Sequence, residues 1–324
     1  MSMNIAILGA ANIALSRFMP ALDSIGSLNY IGVASNTPGK AEVFQQNFGG
    51  RIFSSYDEVI SSPEVDAVYI PLPPSLHYIW ARKALLNSKH VFLEKPSVLK
   101  ENHAQELVAI ARERGLALVE NYMFEYHAQL NAIKSIIESG DIGNLRFINS
   151  HFCFPFRGAK DFRYSKSMGG GALYDCGGYP VKLLSMLMND GVRVEHAKLN
   201  VDERFGVDSN GIVSLSDSEG VLGQAYFGMD DTYKCTVEVL GSKGSVVSSR
   251  IFTAPSDVDI AVELTVNNKT RKHIVRDRQF SNILNHFQQA ANDLELREES
   301  YSGILNQVNL ISQIKKYQVN YENN

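Results

Sequence analysis

Asn4-Ile5-Ala6-Ile7-Leu8-Gly9-Ala10-Ala11-Asn12-Ile13-Ala14 decides the fold. Ile5 to Leu8 is apolar without alternation, the pattern of a strand buried on both faces of a parallel sheet. Gly9-Ala10-Ala11-Asn12-Ile13-Ala14 reads as a turn, and a helical pattern then runs to about Ile25. Downstream the rhythm repeats. Tyr30–Ser35 reads as a strand and Pro38–Asn47 as a helix stopped by Gly49-Gly50. Val65–Ile70 is a third strand, ended by Pro71-Leu72-Pro73-Pro74, with Ser75 placed to cap a helix running to about Asn87. Strand Val91–Leu93, helix Lys100–Arg114 closed by Gly115, and strand Leu116–Val119 follow. Strands alternating with helices imply right-handed βαβ units and a doubly wound parallel sheet, an α/β Rossmann domain.

After Glu120 the rhythm changes. A helix at Ala128–Ser139 precedes alternating stretches: Leu145–Phe154, Val194–Arg204, Gly211–Ser216, Val221–Phe227, Lys234–Leu240, Ser245–Ile251 and Asp257–Val266. These predict a large, open, mostly antiparallel sheet in an α+β domain. Helical patterns at about Phe280–Leu294 and Gly303–Tyr317 close the chain. The expected domains are 1–120, binding the dinucleotide, and 121–324, binding substrate and mediating dimerisation.

A chain of 324 residues is too long for one ordinary core. Its 44% hydrophobic and 20% charged content is that of a soluble globular protein, and a net charge of -4 gives no reason to expect nucleic acid or an anionic membrane as partner. No run approaches the length of a membrane span, and no secretory leader is legible at the N-terminus. Cys153, Cys176 and Cys235 cannot all pair and lack metal-ligand spacing, as in a reducing, cytoplasmic compartment. No metal is expected.

Gly9-x-Ala11-x-x-Ala14 has the position of a dinucleotide fingerprint with alanine in its second and third glycine places. Ala11 keeps most of the closeness a pyrophosphate needs, and the amides beginning at Asn12 and Ile13 are those that would face it. The second strand ends in Ser35-Asn36-Thr37-Pro38-Gly39-Lys40, with no acid before Glu42. Hydroxyl, amide and ammonium donors suit a 2′-phosphate, so NADP is preferred over NAD. The Leu72-Pro73 turn is expected beside the cofactor. Glu94-Lys95-Pro96 follows the strand Val91–Leu93, where a lysine can sit beside a nicotinamide and handle a proton.

Joined to Gly169-Gly170-Gly171-Ala172-Leu173-Tyr174-Asp175-Cys176-Gly177-Gly178-Tyr179, these motifs make the chain resemble the Gfo/Idh/MocA oxidoreductases over nearly its whole length. Glu94-Lys95-Pro96 after the fourth predicted strand and G-G-G-x-x-x-D-x-G-x-[HY] in the second domain are the most specific parts. The resemblance places the catalytic lysine on Lys95, the aspartate on Asp175 and the histidine-or-tyrosine on Tyr179. It implies a cis bond before Pro96. It also matches His77 to a family histidine that either approaches the cofactor or caps its helix.

The chemistry is coherent beside the resemblance. Ketone reduction needs a proton at oxygen as hydride reaches carbon. Tyr179 supplies an O–H, and the positive charge of Lys95 lowers its proton affinity. Asp175 can pair with Lys95 or hold a substrate hydroxyl, and Pro180 marks a kink or a helix start there. Asn121 and Tyr122 begin the crossover to the second domain, where Asn121 is expected near the nicotinamide and Tyr122 near substrate. Phe162-Arg163-Tyr164 resembles a substrate loop in which Arg163 grips hydroxyls, a phosphate or a carboxylate. His151 and Arg157 are further pocket candidates, although alternation alone leaves the face of His151 open.

The activity implied is NAD(P)-dependent interconversion of a secondary alcohol and a ketone on a small polyhydroxylated ring: a sugar, a nucleotide-linked sugar or a cyclitol. A trans-dihydrodiol or aldose dehydrogenase is a close variant. The rival from another class is a non-catalytic dinucleotide sensor. The mixed outer parity of the second sheet, Tyr226, Thr236 and Glu238 against Ala225, Phe227, Val237 and Val239, allows a homodimer, with a tetramer as an option.

Overall fold

The computed structural model describes residues 2–322, with side chains to residue 317. The chain forms two compact units, Met1–Tyr122 with Phe280–Val308, and Met123–Gln279 with Asn309–Asn324. The helical stretch after Phe280, expected with the second domain, thus packs with the first. Its aromatic side chains give the reason: Phe280 and Phe287 stand against Phe92, at ring distances of 6.3 and 5.4 Å. Positions 1 and 323–324, within the expected domain ranges, lie outside the described residues.

In the first unit β1 (Met3–Leu8), β2 (Leu28–Ala34), β3 (Arg51–Phe53), β4 (Ala67–Ile70), β5 (His90–Leu93) and β6 (Leu118–Glu120) form a parallel sheet in the order β3-β2-β1-β4-β5-β6. Ile5, Ala6, Ile7 and Leu8 are wholly buried, as an unbroken apolar run requires. The strand order reverses between β1 and β4, and the crevice outside their C-terminal ends is where open α/β sheets bind ligands.

In the second unit β7 (Leu145–Cys153), β8 (Arg193–Asp202), β9 (Val207–Ser216), β10 (Leu222–Gly228), β11 (Lys234–Gly241), β12 (Gly244–Ser249), β13 (Ile260–Val266) and β14 (Lys269–Val275) form a sheet ordered β14-β13-β12-β11-β7-β10-β9-β8. Every pairing is antiparallel except β7 with β10. Alternation sorts its faces. Ile148, Ser150, Phe152, Ala225, Phe227, Val237 and Val239 are buried on one face, and the helix Gly178–Leu187 packs against β7 and β10.

Several elements differ from the sequence expectation. β3 is only three residues long, too short for a periodic signal. β14 is an edge strand, Lys-Thr-Arg-Lys-His-Ile-Val, exposed along nearly all of its length; charged edges of this kind guard against strand addition and erase the apolar alternation. The last helix begins at Leu294 and runs through Gly303, the residue expected to open it. Ser75 does not cap its helix. That helix starts at Pro74, in the first-turn place proline favours, with Pro73 before it and no side-chain cap.

Candidate active site

Gly9 ends β1 with φ 109°, a conformation side chains resist, and a Cβ there would lie 2.6 Å from Leu72 Cδ2. Glycine therefore lets the turn after β1 close on the turn after β4. Ala11 N–H donates to the Gly9 carbonyl at 2.9 Å. Helix begins at Asn12 and Ile13 and widens into a π-type turn, Ala14–Phe18. First-turn amides of a helix lack intrahelical acceptors, which suits them to an anion. At the end of β2, Ser35 is half-buried and Asn36, Thr37 and Lys40 are exposed. The Ser35 hydroxyl accepts from Thr37 N–H at 3.1 Å, fixing the loop.

The loop after β5 carries Lys95, and the Lys95–Pro96 bond is cis as the resemblance implied. Three side chains fix its backbone, Glu94 half-buried and His77 and Glu120 buried. The Glu94 carboxylate accepts from the Lys95 N–H, and its Oε1 also accepts from Tyr69 Oη and Asn121 Nδ2, both at 2.6 Å. The Pro96 carbonyl meets His77 Nδ1 at 2.8 Å. Glu120 Oε1 accepts from Ser97 N–H at 2.6 Å. Burial raises the proton affinity of Glu94 against the lowering effect of these donors. Asn121 is buried and its Oδ1 has no hydrogen-bond partner, an acceptor suited to a carboxamide N–H.

His77 corrects the sequence reading of that residue. It is fully buried, its Nε2 lies 2.6 Å from the Leu72 carbonyl, and its Nδ1 is taken by Pro96. It does not cap its helix, one of the two roles expected of it. Tyr122 is also enclosed, at 1% exposure, and its hydroxyl accepts from Gln307 Nε2 at 3.3 Å.

In the second unit the glycine motif opens a π-type turn, Leu173–Gly177, that carries Asp175 and passes into the helix bearing Tyr179 and Pro180. Such wide turns recur at functional sites. Gly171 has φ 122°, and a Cβ there would lie 2.3 Å from Asp208 Oδ1. Asp208 in turn accepts from Leu173 N–H at 2.6 Å and so caps the turn, while burial raises its proton affinity. Sequence reasoning missed Asp208 because the predicted strand began at Gly211; an acid just before an alternating strand was the only sign.

Arg163 Nε donates to Asp175 Oδ2 at 2.7 Å, and its Nη1 pairs with Asp161 at 3.1 Å. The two carboxylates hold the guanidinium firmly charged despite burial. Tyr179 is buried in a nest of phenylalanines, with ring distances of 5.1 Å to Phe152, 5.5 Å to Phe252 and 5.9 Å to Phe124. Arg157 is exposed, with its guanidinium over the Phe154 ring at 4.6 Å. For His151 the strand register settles the face that alternation left open. It pairs in register with Tyr226 and Thr236, on the sheet face opposite Phe152 and hence opposite Tyr179. Among the described residues, no three His, Cys, Asp or Glu side chains stand together to hold a metal, and no helix is long and apolar enough to cross a membrane.

Residues 3–122 match a family model described as an oxidoreductase family with an NAD-binding Rossmann fold, and residues 130–247 match the GFO/IDH/MocA C-terminal domain. The chain is 39% identical over 256 residues to the dTDP-3,4-didehydro-2,6-dideoxy-alpha-D-glucose 3-reductase of Streptomyces violaceoruber, a match covering 79% of this chain and 75% of that protein. It is 32% identical over 312 residues to the enzyme of the same name from Actinomadura kijaniata, covering 96% of this chain and 94% of that one. The crystal structure of KijD10, a 3-ketoreductase from Actinomadura kijaniata in complex with NADP and TDP-benzene, matches at a TM-score of 0.94 and 31% identity over 98% of both chains. Fold and relatives together define an NAD(P)-dependent oxidoreductase that interconverts alcohol and ketone groups. The chain belongs to the Gfo/Idh/MocA family.

Proposed function

We propose that this protein is an NADPH-dependent 3-ketoreductase of a dTDP-linked deoxysugar, with Lys95, Asp175 and Tyr179 as its catalytic residues. The observation that carries the substrate class is the near-full-length likeness to the Actinomadura kijaniata 3-reductase. One further correspondence supports the catalytic pair. The related ketoreductase has been crystallised with a lysine replaced and with a tyrosine replaced, and those two positions are separated in that chain by the same number of residues as Lys95 and Tyr179 here.

The residues present fit the dinucleotide. Gly9, Ala11, Asn12 and Ile13 would hold the pyrophosphate, and Ser35, Asn36 and Lys40 the 2′-phosphate. Leu72 and Pro73 would flank the nicotinamide, and the unpartnered Asn121 Oδ1 would accept from its carboxamide. When bound, the reduced nicotinamide supplies a hydride to the ketone carbon. Tyr179 gives its phenolic proton to the ketone oxygen, and the Lys95 ammonium stabilises the phenolate left behind. Asp175, paired with Arg163, accepts a hydrogen bond from a sugar hydroxyl. Arg157 offers a cation to the substrate's diphosphate.

A cytoplasmic location fits three buried cysteines with no disulfide between them among the described residues. A homodimer through the outer face of the second sheet fits the exposure there of Leu222 at 54% and Val247 at 39%. Light scattering of the purified chain measures that state.

The test of function follows NADPH absorbance with dTDP-3-ketodeoxysugars, free sugars and cyclitols in parallel. Turnover is expected with the dTDP-linked ketone. Lys95→Ala and Tyr179→Phe are each expected to lower kcat about 10²–10⁴-fold while NADPH still binds. Undiminished turnover in both variants overturns the catalytic assignment, and turnover confined to free sugars overturns the substrate.

A further inference from the structure

The loops that follow β4 and β5 leave the same edge of the sheet, because Ile70 and Leu93 are paired neighbours at the ends of those strands. Backbone hydrogen bonds are poorly able to hold the two loops together. Pro71, Pro73, Pro74 and Pro96 have no N–H to give. What bridges them is one imidazole. His77, in the first turn of the helix Pro74–Leu86, sets Nε2 at 2.6 Å from the Leu72 carbonyl of one loop and Nδ1 at 2.8 Å from the Pro96 carbonyl of the other.

We propose that His77 is a positioning residue for Lys95: it ties the Lys95 loop to the Leu72 turn and so fixes where the lysine's backbone begins. The peptide groups around Lys95 show why the tie matters. The Lys95 N–H goes to Glu94, the Pro96 carbonyl to His77 and the Ser97 N–H to Glu120. One polar backbone group from each of these three consecutive residues is held by a different side chain, and His77 alone among the three connects this loop to the turn that closes on Gly9. A lysine side chain with four rotatable bonds reaches a reacting oxygen reproducibly only from a fixed backbone, and small misplacements there cost rate strongly. His77 acts on turnover through Lys95, not through contact with substrate or cofactor, since both of its nitrogens are occupied and its surface is wholly buried.

The test is a double-mutant cycle in the full-length enzyme, pairing His77→Leu, His77→Asn and His77→Gln with Lys95→Ala. His77→Leu removes the imidazole and its N–H donor at similar bulk, and is expected to lower kcat at least tenfold with NADPH affinity, read by fluorescence, changed less than threefold. His77→Gln retains an N–H donor and is expected to recover at least threefold of that loss. In the Lys95→Ala background the same His77 changes are expected to cost less than twofold, because the residue through which they act is gone. His77→Asn carries the cycle if His77→Leu does not fold. Equal losses with and without Lys95, or a loss confined to NADPH affinity, overturns the proposal.

Discussion

The Lys95 loop of the first unit and the Tyr179 turn of the second carry the two halves of one proposed proton transfer, yet they are held by opposite means. Around Lys95 the contacts are polar and buried: Glu94 with Tyr69 and Asn121, His77 with two carbonyls, Glu120 with Ser97. Around Tyr179 they are rings, Phe124, Phe152 and Phe252. A buried polar network is strong when complete and costly when one member is lost. An aromatic nest is indifferent to protons and sensitive to volume. The family chemistry explains the difference. In the proposed reaction a flexible lysine needs a fixed backbone to reach the reacting oxygen, whereas a tyrosine needs its ring aimed and kept dry.

The comparison is broken most severely by deleting volume from the ring nest. Phe252 is fully buried and touches Phe124, Phe152 and Tyr179. Phe252→Ala is expected to destabilise the protein by about 3–5 kcal/mol in urea unfolding. Turnover is expected to fall with it, since Tyr179 loses one wall, and the loss should be the same at every pH. A cost under about 1 kcal/mol would show that the nest does not hold the tyrosine.

Much of this division was legible in the residues and some was not. Glu94-Lys95-Pro96 and the glycine motif ending at Tyr179 are local strings, so the family resemblance exposed them. The apolar run Ile5–Leu8 and the parity of Ala225, Phe227, Val237 and Val239 gave the two sheets, because burial imposes period on sequence. The partners of His77 were not legible: they are backbone carbonyls, which no residue type encodes. Nor was the face of His151, since a strand alternates without saying which parity faces the core. Tyr69 left a sign that was passed over. It is the one polar-tipped side chain in the strand Ala67–Ile70, and it is buried where its hydroxyl must find an acceptor.

Proton dependence sharpens the contrast next. Burial, helped by the nearby Lys95 charge, pushes His77 down to about 4 from its ordinary 6.5. The unfolded chain therefore binds more protons than the native one between those values. Stability is full above pH 6.5 and is lost as pH falls towards 4, by about 3 kcal/mol across the window if His77 acts alone. Urea midpoints of wild type and His77→Gln measured from pH 8 to pH 4.5 are expected to run parallel above 6.5 and converge below it. A constant gap throughout would show that His77 does not titrate on unfolding.

The smallest expected effect is also the most local. Tyr69 is fully buried and stacked on Phe18 at 4.2 Å, so Tyr69→Phe leaves the packing intact and removes one hydroxyl. That hydroxyl donates to Glu94 Oε1 at 2.6 Å, and its donation is the first of the influences holding the Glu94 carboxyl down against burial. Without it the Glu94 proton affinity rises further, and the cost in stability is expected to be about 1–2 kcal/mol, because Asn121 and the Lys95 N–H still serve the same carboxylate. A matching phenylalanine-scale change in the ring nest alters no titration at all. Carbon-detected NMR titration of Glu94 in the two backgrounds reads the difference directly. An upward shift in Tyr69→Phe with none in Phe252→Leu assigns the proton-sensitive half of the site to the first unit. Equal behaviour in both would erase the distinction between the two anchors.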